Sequence, residues 1–244
     1  MEAFDQLDDL QLNGWRIWQN TKFFRFGTDG VLLADFARCR VGERMIDLCS
    51  GTGIVPFMLL ARGDAERAEA LELQAELCRL LRKTCRENRC EDRCTVIEGD
   101  LKEIKSLCRA GAYDLVTVNP PYEPMGRGVL GQNPHRELAR REVACTLEDV
   151  VAAAAYLLKP GGRMAMVHRV FRLPEILEQM KKHHLTPSRL RMVQGHEGEN
   201  PQVVLIEGVR DSRRALAAEP TLILHRADGE MSDELLKIYR RERG

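Results

Sequence analysis

The sequence predicts an α/β fold, an open and mostly parallel sheet with helices on both faces. Three observations carry that prediction. Short apolar, β-branched runs alternate with helical segments from residue 44 to residue 182, the pattern of successive βα units. The first of these runs, Arg44-Met45-Ile46-Asp47-Leu48, feeds a glycine turn, Cys49-Ser50-Gly51-Thr52-Gly53, that opens a helix. A later run, Tyr113-Asp114-Leu115-Val116-Thr117-Val118, stops at Asn119-Pro120-Pro121-Tyr122, because proline lacks the N–H that a ladder needs and fixes φ.

The 244 residues fit one large domain and can bury a substantial core. Lys+Arg and Asp+Glu are both 37, so no global field draws in nucleic acid and any polyanion site must be a local patch. The acidic start, Met1-Glu2-Ala3-Phe4-Asp5, has no secretory signature. The apolar run from Val150 to Leu158 is too short to span a bilayer. The expected location is cytoplasmic, with no membrane partner. Eight scattered cysteines are expected to be reduced there. Cys85, Cys90 and Cys94 lie close together, but their spacing matches no zinc site, so no metal is expected.

Residues 1–25 read as a helical or irregular lead-in, with Arg16-Ile17-Trp18-Gln19 strand-like. Thr28 or Asp29 is placed to cap an apolar helix from Val31 to Arg38, or to offer a carboxylate and free N–H groups to the charged end of a ligand. In the glycine turn Pro56 stands where a dinucleotide fingerprint needs its third glycine, which disfavours nicotinamide and flavin. Asp47, at the strand end, suits a ligand carrying an amino group or sulfonium. The next strand, Ala68 to Glu72, ends in an acid about twenty residues past the glycine turn, where a carboxylate commonly accepts ribose hydroxyls. A helix from Gln74 to Glu87 follows, with Leu77, Leu80 and Leu81 as its stripe. The third strand, Thr95 to Gly99, ends at Asp100, which either accepts from an adenine amine beside a donating backbone N–H or caps residues 101–107.

At the end of the fourth strand, Asn119 lies where open α/β sheets bind ligands. Pro120 holds Asn119 extended, so the Asn119 side-chain oxygen and the Pro120 carbonyl become two fixed acceptors, with Tyr122 two residues on. Such a pair suits a flat group bearing an NH2. Taken alone, the tetrapeptide also suits a polyproline-like turn. Residues 123–134 read as a lid, and His135, Arg136, Arg140 and Arg141 follow as a solvated helix face or a phosphate-holding patch. Thr146 opens a capping-box helix to Leu158, Lys159-Pro160-Gly161-Gly162 ends it, and Arg163 to His168 is the fifth strand. His168 reads as a structural or entrance residue rather than as a base. A helix from Leu173 to Lys182 and strands at 190–193 and 203–207 complete the sheet; residues 221–224 add an edge strand and 232–241 a last helix.

On Phe26-Gly27-Thr28-Asp29-Gly30, Asp47-Leu48-Cys49-Ser50-Gly51-Thr52-Gly53, Asn119-Pro120-Pro121-Tyr122, Arg140-Arg141-Glu142 and Leu158-Lys159-Pro160-Gly161-Gly162-Arg163, the chain resembles the Rossmann-like S-adenosylmethionine methyltransferases. More narrowly, it resembles the bacterial tRNA1(Val) adenine-37 N6-methyltransferase family over nearly its whole length. The resemblance implies a Rossmann-like class I fold of seven strands, the last antiparallel, on a core of residues 41–210 between extensions at 1–40 and 211–244. It implies S-adenosylmethionine held at Thr28, Asp29, Asp47, Cys49, Gly51, Gly53, Glu72, Asp100, Leu101 and Asn119. It implies catalysis by Asn119, Pro120 and Tyr122, and RNA, in the first place tRNA, held by Pro121, Tyr122, Arg136, Arg140 and Arg141. Cys49 departs from a frequent glycine, a change that is tolerable where the backbone is not left-handed.

The implied reaction is N6-methylation of adenine in tRNA. The alternatives are another RNA adenine or guanine amine, or a protein glutamine amide as in the release-factor methyltransferases. The latter usually carry a separate N-terminal helical domain that this chain lacks. A cofactor-binding scaffold without catalysis has no need of paired amine acceptors.

Overall fold

The computed structural model of the chain describes residues 4–21, 26–120 and 145–239. Strand β1 (Asp5–Asp9) pairs antiparallel with β2 (Arg16–Asn20) as a separate hairpin. The expected helical or irregular lead-in is therefore extended over Asp5–Asp9. The cause lies far along the chain: the buried Asp5 carboxylate accepts from Arg79 Nη1 and Lys83 Nζ, both at 3.0 Å. Lys83 Nζ also sits 3.3 Å from the Trp18 ring centroid, a cation–π contact that fixes the hairpin to its helix.

The chain then runs α1 (Thr28–Ala37), β3 (Met45–Leu48), α2 (Ile54–Arg62), β4 (Ala68–Glu72), α3 (Ala75–Glu87) and β5 (Cys94–Glu98). A 3-10 turn (Leu101–Glu103), α4 (Ile104–Leu107) and β6 (Tyr113–Val118) follow. After α5 (Leu147–Leu157) come β7 (Leu158–Arg169), a second 3-10 turn (Val170–Arg172) and α6 (Leu173–Lys182). Strands β8 (Leu185–Gln194), β9 (Val203–Arg210) and β10 (Ala217–Ile223) precede α7 (Asp233–Tyr239).

Eight strands form one sheet in the order β10-β8-β9-β7-β6-β3-β4-β5. Only β9 is antiparallel to its neighbours, β7 and β8. Seven of the strands match the implied arrangement, with β9 its antiparallel last member. The eighth, β10, is the edge strand read at 221–224, begun four residues earlier; it pairs parallel with β8 and corrects the implied count of seven. Helix α5 ends just before Lys159-Pro160-Gly161-Gly162, as expected, but these residues already belong to β7, which starts at Leu158 and not at Arg163. The β6–β7 register shifts between Tyr113 and Leu115, and this irregularity absorbs the proline.

Two apolar layers cover the sheet, as helices on both faces require. One gathers α1, α2, α3 and α7 around Leu33, Phe57, Leu81 and Ile238. The other gathers α4, α5 and α6 around Ile104, Val150, Ile176 and Met166. Helix α1 ends against two buried guanidiniums: Arg163 Nη1 donates to the Ala37 carbonyl at 3.0 Å, and Arg189 Nη2 donates to that of Phe36. Cations there complement the helix dipole. Glu207 bridges them at 3.3 and 3.0 Å, and Glu43 on Arg163 and Glu219 on Arg189 supply the remaining negative charge. Among the described residues no helix is long and apolar enough to cross a membrane.

Candidate functional site

Strands β3 and β6 lie side by side with Leu48 opposite Val118, so the next residues, Cys49 and Asn119, emerge level at the carboxyl edge. The strand stops at Val118 as the prolines require, leaving Asn119 half-buried and Pro120 buried. Alternation puts Leu115, Thr117 and Asn119 on the face that carries Asp47. There the Thr117 hydroxyl donates to Asp47 Oδ1 at 2.6 Å and the Ser50 hydroxyl to Oδ2 at 2.7 Å. Burial pushes the Asp47 carboxyl up to about 7, against the two hydroxyls.

The glycine turn is left-handed at three places: Cys49 (φ 55°), Gly51 (φ 59°) and Gly53 (φ 86°). The two glycines serve different ends. A Cβ on Gly53 would stand 2.4 Å from Leu81 Cδ2, so this glycine admits the packing of α2 on α3. A Cβ on Gly51 would meet nothing within 4 Å, so the space above it is open to a ligand. The condition under which Cys49 was tolerable fails, because its backbone is left-handed. The Cys49 thiol is pushed well above its ordinary value, first by its hydrogen-bonding contact with the Cys145 thiol and then by burial.

Glu72 ends β4 beside this turn. Its Oε2 accepts the Gly51 N–H at 2.8 Å and its Oε1 the Gln74 N–H at 2.9 Å. Each oxygen keeps a further lone pair for a ligand hydroxyl. Burial raises the Glu72 carboxyl against these backbone donors. Asp100 caps the first 3-10 turn, accepting the Lys102 N–H at 2.9 Å. The capping read for Asp100 is thus present and occupies Oδ1, and Oδ2 lies 3.5 Å from Lys102 Nζ. Leu101 buries its side chain, and as first residue of the turn its N–H has no acceptor within it.

Helix α1 begins at Thr28, three residues earlier than expected, with Gly27 as N-cap and no side-chain cap. Neither Thr28 nor Asp29 caps it, then; both lie in its first turn. The Thr28 hydroxyl lies 3.3 Å from that of Tyr239 in α7. Packing of Gly30 on Ile54 brings the α1 N-terminus against the start of α2, next to the glycine turn. His168 at the end of β7 is fully buried, and burial followed by Arg172 and Arg169 pushes it down to about 3. It is neutral and enclosed, so of the two expected places the structural one holds and the entrance one does not. Pro121, Tyr122, His135, Arg136, Arg140, Arg141 and the 123–134 stretch lie outside the described residues.

Sequence reasoning missed Ser50 and Thr117, the two hydroxyls that hold Asp47. Thr117 stood out as a polar residue buried in β6, but its partner became visible only with the pairing of β6 on β3. It also missed Thr52, whose buried hydroxyl has no hydrogen-bond partner.

The residues fit S-adenosylmethionine on three counts: open space above Gly51, a buried unpartnered hydroxyl on Thr52, and carboxylates at Asp47 and Glu72. Residues 26–189 match the methyltransferase small domain family. The tRNA1(Val) (adenine(37)-N6)-methyltransferase of Aeromonas hydrophila is 31% identical over 215 residues, 88% of each chain. The enzyme of that name from Porphyromonas gingivalis is 29% identical over 88% of this chain and 86% of its own. Among solved structures, a predicted O-methyltransferase from Agrobacterium tumefaciens shares the fold with a TM-score of 0.71 at 19% identity, covering 88% of this chain and 98% of that one. Geranyl diphosphate C-methyltransferase from Streptomyces coelicolor, solved with S-adenosyl-L-homocysteine, shares it with a TM-score of 0.54 at 16% identity and 75% coverage of both chains. The chain belongs to the methyltransferase small domain family and is an S-adenosylmethionine-dependent methyltransferase.

Proposed function

We propose that the chain methylates the exocyclic N6 of an adenine in tRNA, in the cytoplasm. One observation carries the reading: Asn119, followed by Pro120, emerges level with the glycine turn on the face that holds Asp47. The names of the relatives support the choice of tRNA.

S-adenosylmethionine supplies a methyl group on a positively charged sulfur. In the proposed site Glu72 accepts the ribose hydroxyls, Asp100 and the Leu101 N–H receive the adenine, and Asp47, Asp29 and Thr28 face the amino-acid end. Gly51 and Gly53 allow the close approach, and Cys49 lines it. Asn119 Oδ1 and the Pro120 carbonyl accept the two hydrogens of the target amine. The amine is a poor nucleophile because its lone pair is delocalised into the ring. Two acceptors favour the pyramidal nitrogen and the positive charge that grows on it. Holding it in line with the methyl group supplies on the order of 7–11 kcal/mol. No general base is required, since the cationic product releases its proton to water. Stacking on Tyr122, about 1–3 kcal/mol, offsets the cost of extruding the base. Pro121, Arg136, Arg140 and Arg141 complete the proposed RNA contacts.

The test supplies labelled S-adenosylmethionine with separated tRNA and protein fractions. Label is expected in N6-methyladenine of tRNA, and Asn119→Ala is expected to abolish transfer while cofactor binding survives. Label confined to protein, or full turnover by Asn119→Ala, overturns the reading.

A further inference from the structure

Sheet order divides the carboxyl edge into two halves. The glycine turn follows β3, and Glu72 and Asp100 follow β4 and β5, all on one side of β6. A cofactor held there leaves the β7 side for the rest of the substrate. The first structure on that side is the 3-10 turn Val170–Arg172, immediately after the strand that pairs with β6. It carries Phe171, which at 66% exposure is the most exposed of the large apolar side chains among the described residues.

The backbone beneath that ring is fixed at each step. His168 Nδ1 accepts the Arg169 N–H at 2.8 Å, and the Gln202 carbonyl accepts the Val170 N–H at 3.1 Å. Arg172 is buried and forks onto Glu175, Nε to Oε2 at 2.8 Å and Nη2 to Oε1 at 2.9 Å. Arg172 and Val170 thus anchor the turn inward, and Phe171 is the residue it turns out. A single exposed apolar side chain needs no explanation on a surface at large. This one sits on a backbone fixed by hydrogen bonds, lies one strand from Asn119, and follows the half-buried Arg169 by two residues. An exposed aromatic face is what an unpaired nucleobase stacks on, and arginines in the same segment strengthen the attraction of the RNA backbone.

Resting on the proposed tRNA reading, we infer that Phe171 is a stacking platform for an unpaired base next to the methylated adenine. Every base has a π-face, so the platform contributes to RNA affinity and not to the choice of the reacting amine.

The test compares the wild-type chain with Phe171→Ala and Phe171→Tyr. The readouts are kcat and KM for unmodified tRNA, S-adenosylmethionine binding by calorimetry, and the thermal midpoint. Loss of one base stack is expected to raise KM for tRNA about tenfold in Phe171→Ala. In that variant kcat, cofactor affinity and thermal midpoint stay at wild-type values, and Phe171→Tyr restores the wild-type KM. An unchanged KM in Phe171→Ala, or an equal loss in Phe171→Tyr, overturns the platform alone. Absence of label from tRNA with the wild-type chain overturns the tRNA reading itself, and the platform with it.

Discussion

Asp47 makes the stability of this protein depend on pH in an unusual direction. Its carboxyl is buried, with Thr117 and Ser50 donating to its two oxygens and Glu72 raising it further by charge repulsion. In the unfolded chain it titrates near 3.8, and in the folded chain at about 7. Between those values the unfolded chain has lost its proton and the folded chain has kept it. The contribution is therefore complete below pH 4 and is lost as pH rises through 7. A displacement of this size corresponds to about 4 kcal/mol. Asp47→Asn removes the titration and leaves a side chain of the same shape; its oxygen takes one hydroxyl, and the other hydroxyl rotates to accept from the amide. Urea unfolding of both chains at intervals from pH 4.5 to pH 8.5 reads out the effect of Asp47 together with its coupling to Glu72, since groups away from this pair titrate alike in the two. The variant is expected to gain on the wild type progressively with pH, by a few kcal/mol at the alkaline end. Two curves that run parallel within about 1 kcal/mol, a typical single-bond effect, would refute the reasoning. A cationic ligand beside the carboxylate favours its ionised form, so cofactor binding below pH 7 is expected to release a proton, measurable from the buffer dependence of the binding heat.

Three further predictions concern the glycine turn and the hairpin. Gly53→Ala combines left-handed strain with a contact 2.4 Å from Leu81, and is expected to cost about 2–3 kcal/mol of stability by chemical denaturation. Gly51→Ala meets open space, so it costs only about 1 kcal/mol of strain but weakens cofactor binding about tenfold or more by calorimetry. Asp5→Ala leaves Arg79 and Lys83 without their shared acceptor, and is expected to cost about 2 kcal/mol. The Arg79 hydrogen bond holds the Asp5 carboxyl well below the usual carboxylate range. Its contribution is therefore present above pH 4 and disappears as the medium is acidified further.

The parts of the fold legible in the sequence are those written in neighbouring residues. Tyr113 to Val118 announced a buried strand by composition, and two prolines announced its end. The glycine turn announced itself by residues whose left-handed backbone the structure contains. What could not be read depends on partners far along the chain. Residues 5–9 are extended because Asp5 reaches Arg79, 74 positions away. Helix α1 is held at its end by Arg163 and Arg189, 126 and 153 positions from the carbonyls they cap. Strand β10 joins the sheet only through β8, and nothing in its own residues gives that neighbour. Thr146, by contrast, caps its helix as read, because both bonds of the capping box with Asp149 are local. At the site the same division holds. The ends of β3 and β6 were readable separately, but the Thr117 hydroxyl that joins them on Asp47 was visible only once the strands were paired.

Cys49 shows where a sequence argument and the energetics part company. A cysteine was acceptable at this position only outside the left-handed region, yet its φ is 55°. Such a backbone costs a non-glycine residue roughly 1–2 kcal/mol. Glycine would escape that cost, but it carries the entropic penalty of its own freedom, about 0.5–1 kcal/mol, and has no side chain to pack. The thiol packs against the apolar layer that holds Ile46, Leu48 and Val118, touching the Cys145 thiol. A small buried side chain of this kind contributes on the order of 1 kcal/mol. The opposing contributions are of equal size, so the turn keeps its left-handed geometry with cysteine in place. That geometry is what sets Ser50 against Asp47 and leaves the space above Gly51 open.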